Sequence, residues 1–209
     1  MARLLVVHHT PSPAMQELLE AALAGAGDPE LAEAGVEVVV RPALVASAVE
    51  TMEADGYLLA TPANIMSDTG ALLDYLAAQH DVKPGGIGTT GYCMGGLMSL
   101  TAAGTYPDRI VAAASYHGGR LATDAPDSPH LLAPRIKARV YVAGAIEDQS
   151  FPDDMKARLE AALTKAGIDH KIETYQAKHG WVFRDTPVYD ATAAERHWQT
   201  MLALFHAKL

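Results

Sequence analysis

The sequence predicts an α/β protein of three layers, α/β/α, built on a doubly wound, mainly parallel sheet of about seven strands. Short β-rich apolar runs alternate along the chain with helical patterns. These runs are continuously apolar, which is typical of parallel strands that are buried on both faces. The predicted strands are Leu4–Val7, Val36–Val40, Tyr57–Ala60, Ile87–Gly91, Ile110–Ser115, Val140–Ala143 and Lys171–Tyr175.

Apolar residues at helical spacing predict the helices that connect these strands. The first helix has a clear start, because Ser12 can cap it and Pro13 suits its first turn. Further helices are predicted over about 67–79 and over 152–166, and the last begins near Asp190. This alternation of strands and helices predicts a single α/β domain over residues 1–209.

Composition and charge argue against several classes of protein. With 209 residues, of which 49% are hydrophobic, the chain can bury a sizeable core. The net charge of −9 argues against nucleic acid or an acidic membrane surface as a partner. A single cysteine excludes an intramolecular disulfide, and the first apolar run is too short for a signal peptide or a membrane span. We therefore expect a cytoplasmic protein.

The hexapeptide GYCMGG at residues 91–96 follows a predicted strand and precedes a helical stretch. It matches the nucleophile elbow G-x-S-x-G with cysteine in place of serine. Such an elbow holds its central residue on a strained turn, so its neighbours must be small. Cys93 is then expected beside a helix N-terminus, which favours the thiolate, and the Met94 amide is expected to face an oxyanion. The alternative interpretation is a buried structural cysteine in a glycine-rich turn.

The later loops supply residues for a hydrolytic triad in the order nucleophile, acid, histidine. Asp148 follows the strand Val140–Ala143, where an acid would hold the histidine tautomer. His179 follows the strand Lys171–Tyr175, where a base would accept the thiol proton and return it to the leaving group. Glu147 is the rival acid, and a capping or surface histidine is the alternative for His179.

From about Ser67 to the C-terminus the chain resembles a bacterial dienelactone hydrolase, over about 140 of 209 residues. The resembling stretches are VKPGGIGTTGYCMGG, TYPDRIVAAASYHGG, YVAGAIEDQSFP and KHGWVFRDTP. The resemblance implies an α/β-hydrolase fold and a Cys–His–Asp triad that acts on small lactones or esters. It implies no metal and no organic cofactor. Candidate substrate-binding residues near the triad are Tyr116, Trp181 and Arg184. The alternatives are a structural loop for Tyr116, packing over the site for Trp181 and an exposed surface position for Arg184.

Residues 1–66 resemble a different family, the flavodoxin-like flavoproteins and flavin reductases. The resemblance rests on LLVVHHTPSPAMQELLEAAL and VEVVVRPALVASAVETMEADGYLLATPANI. It implies that Thr10 and Ser12 lie at an FMN phosphate and Asn64 at the flavin ring, although Ser12 is equally an N-cap. Two doubly wound halves joined near Ser67 suggest an engineered chimera with strand order 2-1-3-4-5-6-7.

The junction has a consequence for catalysis, because dienelactone hydrolases take a second oxyanion donor from a loop beside the nucleophile strand. In this chain the loop after Tyr57–Ala60 inherits that place, and the amide of Ala63 or Asn64 is the candidate donor, since proline has no N–H. Losing one oxyanion donor typically costs ~10²–10³ in kcat. We therefore expect hydrolysis weakened by at least about a hundredfold on that scale.

Three functions remain open at this point. The first is a thiol hydrolase of small lactones or esters, weakened by loss of the family's N-terminal half. The second is a chimera with an assembled triad but no turnover. The third is an FMN-binding module, for which only part of the flavin site would survive the junction.

Overall fold

A computed structural model describes residues 2–8, 13–42, 54–60, 65–79 and 84–209. The chain divides into two compact units, Met1–Pro84 and Gly85–Leu209, and each unit is described by itself. Both units consist of parallel strands connected by helices, so the α/β class predicted from the sequence is confirmed.

The first unit contains a three-stranded parallel sheet in the order β2-β1-β3. Its strands are β1 (Ala2–His8), β2 (Val36–Pro42) and β3 (Gly56–Ala60), and its helices are α1 (Pro13–Ala26), α2 (Pro29–Glu33) and α3 (Ile65–Ala77). Strand β1 lies between the other two, and its Leu5 and Val6 are fully buried. Leu73 and Leu76 of α3 are also buried, as the helical spacing predicts.

The second unit contains a four-stranded parallel sheet in the order β4-β5-β6-β7. Its strands are β4 (Ile87–Tyr92), β5 (Ile110–Tyr116), β6 (Arg139–Gly144) and β7 (His170–Thr174). Its helices are α4 (Met94–Thr105), α5 (Asp153–Lys165) and α6 (Ala191–His206), together with a 3₁₀ helix over Pro129–Arg135. Asp190 caps α6, because its carboxylate accepts the amide of Ala193 at 2.8 Å.

The inner strands β5 and β6 are buried along almost their whole length. Continuous apolar sequence is what a strand needs when both of its faces are covered. Strand β7 forms one edge of this sheet and has polar residues at its exposed positions. The core joins these strands to α6, and it is built from large side chains that include Tyr116, Tyr141, Tyr175, Trp181, Met201 and Leu204.

Helix α4 packs closely on β4 and β5 because, apart from Leu100, its buried face is made of small residues. A Cβ added to Gly96 would lie 2.3 Å from the Ser115 hydroxyl and 2.9 Å from the Cα of Gly118. A Cβ added to Gly104 would lie 2.4 Å from the Cβ of Leu132 in the 3₁₀ helix. A larger residue at Gly96 would push α4 away from the sheet, and one at Gly104 would push it away from the 3₁₀ helix.

The strands agree with the sequence-based prediction, whereas the single sheet does not. Each predicted strand is present with bounds within two residues of those predicted, and the orders β2-β1-β3 and β4-β5-β6-β7 follow the prediction. The described strands form two sheets, however, so the continuous sheet in the order 2-1-3-4-5-6-7 is not confirmed. Helix α2 and the 3₁₀ helix were not predicted, because both are too short to show a periodic apolar pattern.

None of the helices within the described ranges is long and apolar enough to cross a membrane.

We expect the two glycines at the start of α4 to differ sharply in their tolerance of alanine. Gly96→Ala should destabilise the fold by about 1–3 kcal/mol, because its methyl group would overlap Ser115 and Gly118. Gly95→Ala is the matched control, since a Cβ there meets nothing within 4 Å and alanine favours a helix by up to about 1 kcal/mol. Calorimetric melting of both variants tests this, and equal Tm values would contradict the close approach.

Candidate active site

Residues that follow three strands of the second unit bring polar side chains to the carboxyl-terminal end of its sheet. Cys93 follows β4 directly, Asp148 lies in the loop after β6, and His179 lies in the loop after β7. The carboxyl ends of parallel strands meet at the same edge, which is where open α/β sheets form their sites. The structure brings these three predicted residues together.

Cys93 sits on a strained turn between β4 and α4. Its φ of 53° and ψ of −118° are rarely adopted by a residue that has a side chain. Its amide donates to the Tyr116 carbonyl at 3.2 Å, and its carbonyl accepts the Gly96 amide at 3.1 Å. A Cβ on Gly91 would lie 1.9 Å from the carbonyl oxygen of Gly95, so the turn requires glycine there. The thiol of Cys93 is exposed, which excludes the alternative of a buried structural cysteine.

The elbow is also anchored from within the core by Tyr92. The Tyr92 hydroxyl lies 2.6 Å from Nε2 of His197 on α6, and Nδ1 of His197 lies 3.1 Å from the Ala194 carbonyl. A carbonyl only accepts, so Nδ1 carries the proton and Nε2 accepts from the tyrosine. Burial lowers the pKa of His197 to about 4, which keeps this ring neutral and the bond intact.

His179 and Asp148 form a short, charge-assisted hydrogen bond. Nδ1 of His179 donates to Oδ2 of Asp148 at 2.8 Å, and the carboxylate is only 5% exposed. The other oxygen, Oδ1, accepts the amide of Ser150 at 2.9 Å and its hydroxyl at 2.6 Å. With Nδ1 engaged in this way, Nε2 is the ring nitrogen of His179 that remains for its hydrogen bond with Cys93.

The electrostatics of these three groups favour a thiolate beside an imidazolium. The hydrogen bond with Cys93, together with the carboxylate of Asp148, raises the pKa of His179 to about 9, against partial burial. The same hydrogen bond and the imidazolium charge lower the pKa of the Cys93 thiol. Burial tends to raise the pKa of Asp148, but the hydrogen bonds from Ser150 and His179 lower it overall. His179 is therefore charged near neutral pH, and the Cys93 thiolate is favoured relative to that of an ordinary thiol.

A second histidine packs against the first without competing for its proton. The ring of His117 is fully buried, with its centroid 4.8 Å from that of His179 and 4.9 Å from that of Trp181. Burial and the neighbouring positive charge lower the pKa of His117 to about 3. His117 is therefore neutral at physiological pH, and it supplies an uncharged aromatic wall behind His179.

The predicted oxyanion donors are only partly covered by the structure. The Met94 amide contributes a hydrogen bond that lowers the pKa of the Cys93 thiol, and its role as an oxyanion donor stays a prediction. The other candidates, Ala63 and Asn64, lie outside the described residues, and so do the candidate flavin contacts Thr10 and Ser12. Glu147, the rival acid, is exposed, and the carboxylate that contacts His179 belongs to Asp148.

The structure corrects two of the three predicted substrate-binding residues. Tyr116 is fully buried, with its hydroxyl bonded to Thr200 at 3.0 Å, so its side chain belongs to the core. Trp181 is fully buried as well and stacks on Tyr175 at a centroid distance of 5.1 Å, so it also belongs to the core. Arg184 is exposed.

Ser150 is the residue at this site that the sequence analysis missed. A serine two positions after an aspartate is the spacing of an Asx-turn, in which the carboxylate accepts backbone and side-chain donors two residues on. The spacing Asp148-Gln149-Ser150 was therefore a readable signal.

Comparison with known proteins agrees with the resemblance of the C-terminal part of the chain to dienelactone hydrolases. Residues 32–209 match the family model described as the dienelactone hydrolase family. A Synechocystis sp. protein assigned as a carboxymethylenebutenolidase is 32% identical over 151 residues, which are 70% of this chain and 61% of that protein. The chain spans 57% to 61% of the length of the curated relatives it matches.

Solved structures show the same fold. The chain resembles a Klebsiella pneumoniae protein assigned as a dienelactone hydrolase, with a TM-score of 0.66, 20% identity, and coverage of 98% of this chain and 86% of that one. It also resembles a dienelactone hydrolase-like promiscuous phosphotriesterase from metagenomic libraries, with a TM-score of 0.61, 24% identity, and coverage of 100% and 87%. These likenesses support an α/β-hydrolase-type fold.

The start of the family match corrects the predicted junction. It begins at residue 32, well before Ser67, so residues 32–66 fall within the dienelactone hydrolase match. The assignment of that segment to a flavodoxin-like protein, and with it the chimera, is not supported.

We expect alkylation of Cys93 to report the thiolate directly, because the chain has one cysteine. Iodoacetamide should label wild type well below the ordinary thiol pKa of about 8.5. In His179→Ala the partner that lowers this pKa is gone, so the rate near pH 6 should fall by up to about tenfold for each unit by which the pKa rises. His206→Ala, at an exposed position on α6, is the control, and unchanged labelling in His179→Ala would contradict the ion pair.

Proposed function

The chain belongs to the dienelactone hydrolase family, and we propose on that premise that it is a thiol hydrolase of small lactones or esters. The observation that carries the proposal is the relay of hydrogen bonds from Asp148 through His179 to the Cys93 sulfur. Cys93 is the nucleophile, His179 the proton carrier, and Asp148 the group that holds the histidine tautomer and stabilises its charge.

Acylation begins with the thiolate already formed. The Cys93 sulfur attacks the carbonyl carbon of the ester or lactone, and the carbonyl oxygen becomes an oxyanion that the Met94 amide stabilises. The intermediate collapses by breaking the bond to the alcohol oxygen. That oxygen takes the proton from Nε2 of His179, which leaves a thioester on Cys93 and a neutral imidazole. With a lactone, the alcohol stays attached to the acyl group.

Deacylation uses the same groups in reverse. Neutral His179 accepts a proton from a water molecule as the water oxygen attacks the thioester carbon. The second tetrahedral intermediate expels the Cys93 thiolate and forms the carboxylic acid. The imidazolium and the thiolate are thereby restored together, so the ion pair is the resting state of the cycle.

The chimera has lost its support, because it depended on a junction near Ser67 and the family match runs through that position. The expected weakening loses the same premise. No observation among the described residues favours flavin, because the residues named for it lie outside them. We therefore propose a family member with an ordinary hydrolytic role rather than an inactive chimera.

The pH dependence of kcat/KM should be bell-shaped. Activity needs the thiolate, so it should fall on the acid side as Cys93 protonates, at a pKa below that of an ordinary thiol. Activity also needs the proton on His179, so it should fall on the alkaline side near pH 9. Steady-state kinetics on a lactone across this range are the measurement. A profile that rises through pH 9 would contradict His179 as the acid.

Triad variants should lose activity as a unit. His179→Ala and Asp148→Ala should each lower kcat on the order of 10²–10⁴, because each removes part of the same proton relay. The double variant should be little worse than His179→Ala. Glu147→Gln is the control that separates the neighbouring carboxylates and should keep the wild-type rate. Independent, multiplying losses in the double variant would show that the two residues do not act together.

A further inference from the structure

Ser150 makes two hydrogen bonds to a single oxygen of the proposed catalytic acid. Its amide and its hydroxyl both reach Oδ1 of Asp148, at 2.9 and 2.6 Å. An ionised carboxylate only accepts, so the hydroxyl is the donor. With Oδ1 held in this way, Oδ2 remains for Nδ1 of His179. The two donors fix the plane of the carboxylate as well as its charge.

Ser150 is itself held from its other side by the loop after β5. Its carbonyl accepts the Arg120 amide at 2.7 Å. A Cβ on Gly119 would lie 2.7 Å from the Ser150 hydroxyl and 2.8 Å from its Cβ. Arg120 has a φ of 58°, a conformation that costs free energy and persists only where the surroundings hold it. The loop after β5 therefore holds Ser150 in place, and Ser150 in turn holds the carboxylate of Asp148.

We propose that Ser150 is a positioning residue of the hydrolytic site, clamped by Gly119 and Arg120 so that Asp148 stays ionised and aimed at His179. This inference rests on the proposed function, because it assigns a role within that site. Two features distinguish it from a loop-stabilising serine. Both donors converge on the oxygen that His179 does not use, and the hydroxyl is packed against a position without a side chain.

The predicted consequence follows from charge. Without the Ser150 hydroxyl, the pKa of Asp148 should rise and its carboxylate can rotate. Asp148 then stabilises the His179 imidazolium less. The pKa of His179 should then fall and that of Cys93 should rise. Both limbs of the pH profile should move toward each other, which a purely structural serine would not cause.

Ser150→Ala, compared with Ser128→Ala, tests the proposal. Ser128 is a buried serine that bonds the Thr123 amide and Nδ1 of His130, both at 2.8 Å, away from the triad. Each variant should lose a comparable, small amount of stability. Ser150→Ala should lower kcat about tenfold, the loss expected for one such charge-assisted hydrogen bond, and narrow the pH profile. Ser128→Ala should do neither. An unchanged profile in Ser150→Ala would overturn the proposal.

A double-mutant cycle tests whether Gly119 acts through Ser150. Gly119→Ala should displace the hydroxyl and reproduce the narrowed profile while keeping the serine in place. In a Ser150→Gly background the clashing atoms are gone, so Gly119→Ala should have little further effect. Equal effects of Gly119→Ala in both backgrounds would contradict the clamp.

Iodoacetamide labelling of Cys93 in the same variants separates this proposal from the proposed function. The labelling measures the thiolate pKa and needs no turnover. A raised thiolate pKa in Ser150→Ala supports the positioning role even if no ester is hydrolysed by wild type. If wild type hydrolyses esters but Ser150→Ala leaves both the labelling and the pH profile unchanged, the proposed function stands and the positioning role of Ser150 is wrong.

Discussion

The close approach of α4 to β4 is the constraint on which the site depends. Cys93 adopts its left-handed conformation in the space left by glycines, since a Cβ at Gly91 would overlap the Gly95 carbonyl and one at Gly96 would overlap Ser115. Cys93 is exposed at this tight turn, and a hydrogen bond from the Met94 amide lowers the pKa of its thiol. The strain is held by the parallel sheet on one side and the Tyr92–His197 bond on the other.

Burial and pairing give two touching imidazoles opposite properties. His117 is enclosed by rings and its pKa falls to about 3, whereas His179 has a carboxylate and a thiol as partners and its pKa rises to about 9. Identical side chains thus differ by their surroundings alone. Since His117 stays neutral, it adds no positive charge that would oppose the imidazolium. The proposed proton carrier is the histidine that lies between Cys93 and Asp148.

The sequence predicted what depends on local pattern and chemical order. Apolar runs located the strands, and the order Cys93, Asp148, His179 along successive strand ends named three residues that the structure brings together. Burial of particular side chains was harder to predict. Tyr116 and Trp181 stand beside site motifs, yet they face the core because their rings fill the space between the sheet and α6. Contacts such as that between Gly119 and Ser150 join loops from different strands, so neither loop reveals them by itself.

In the first third of the chain, the local pattern predicts strands and helices but does not identify the family. A strand such as β1 or β2 must be apolar and β-branched in any doubly wound fold, and α1 needs only a buried stripe and a suitable first turn. Two families that share βαβ units therefore have similar local patterns there, and a resemblance at that level does not separate them. Loops after strands carry chemistry as well as connection, so their residues are far more specific. The residues after β4, β6 and β7 gave a more specific prediction because reactivity, rather than burial, restricts which side chains can serve there.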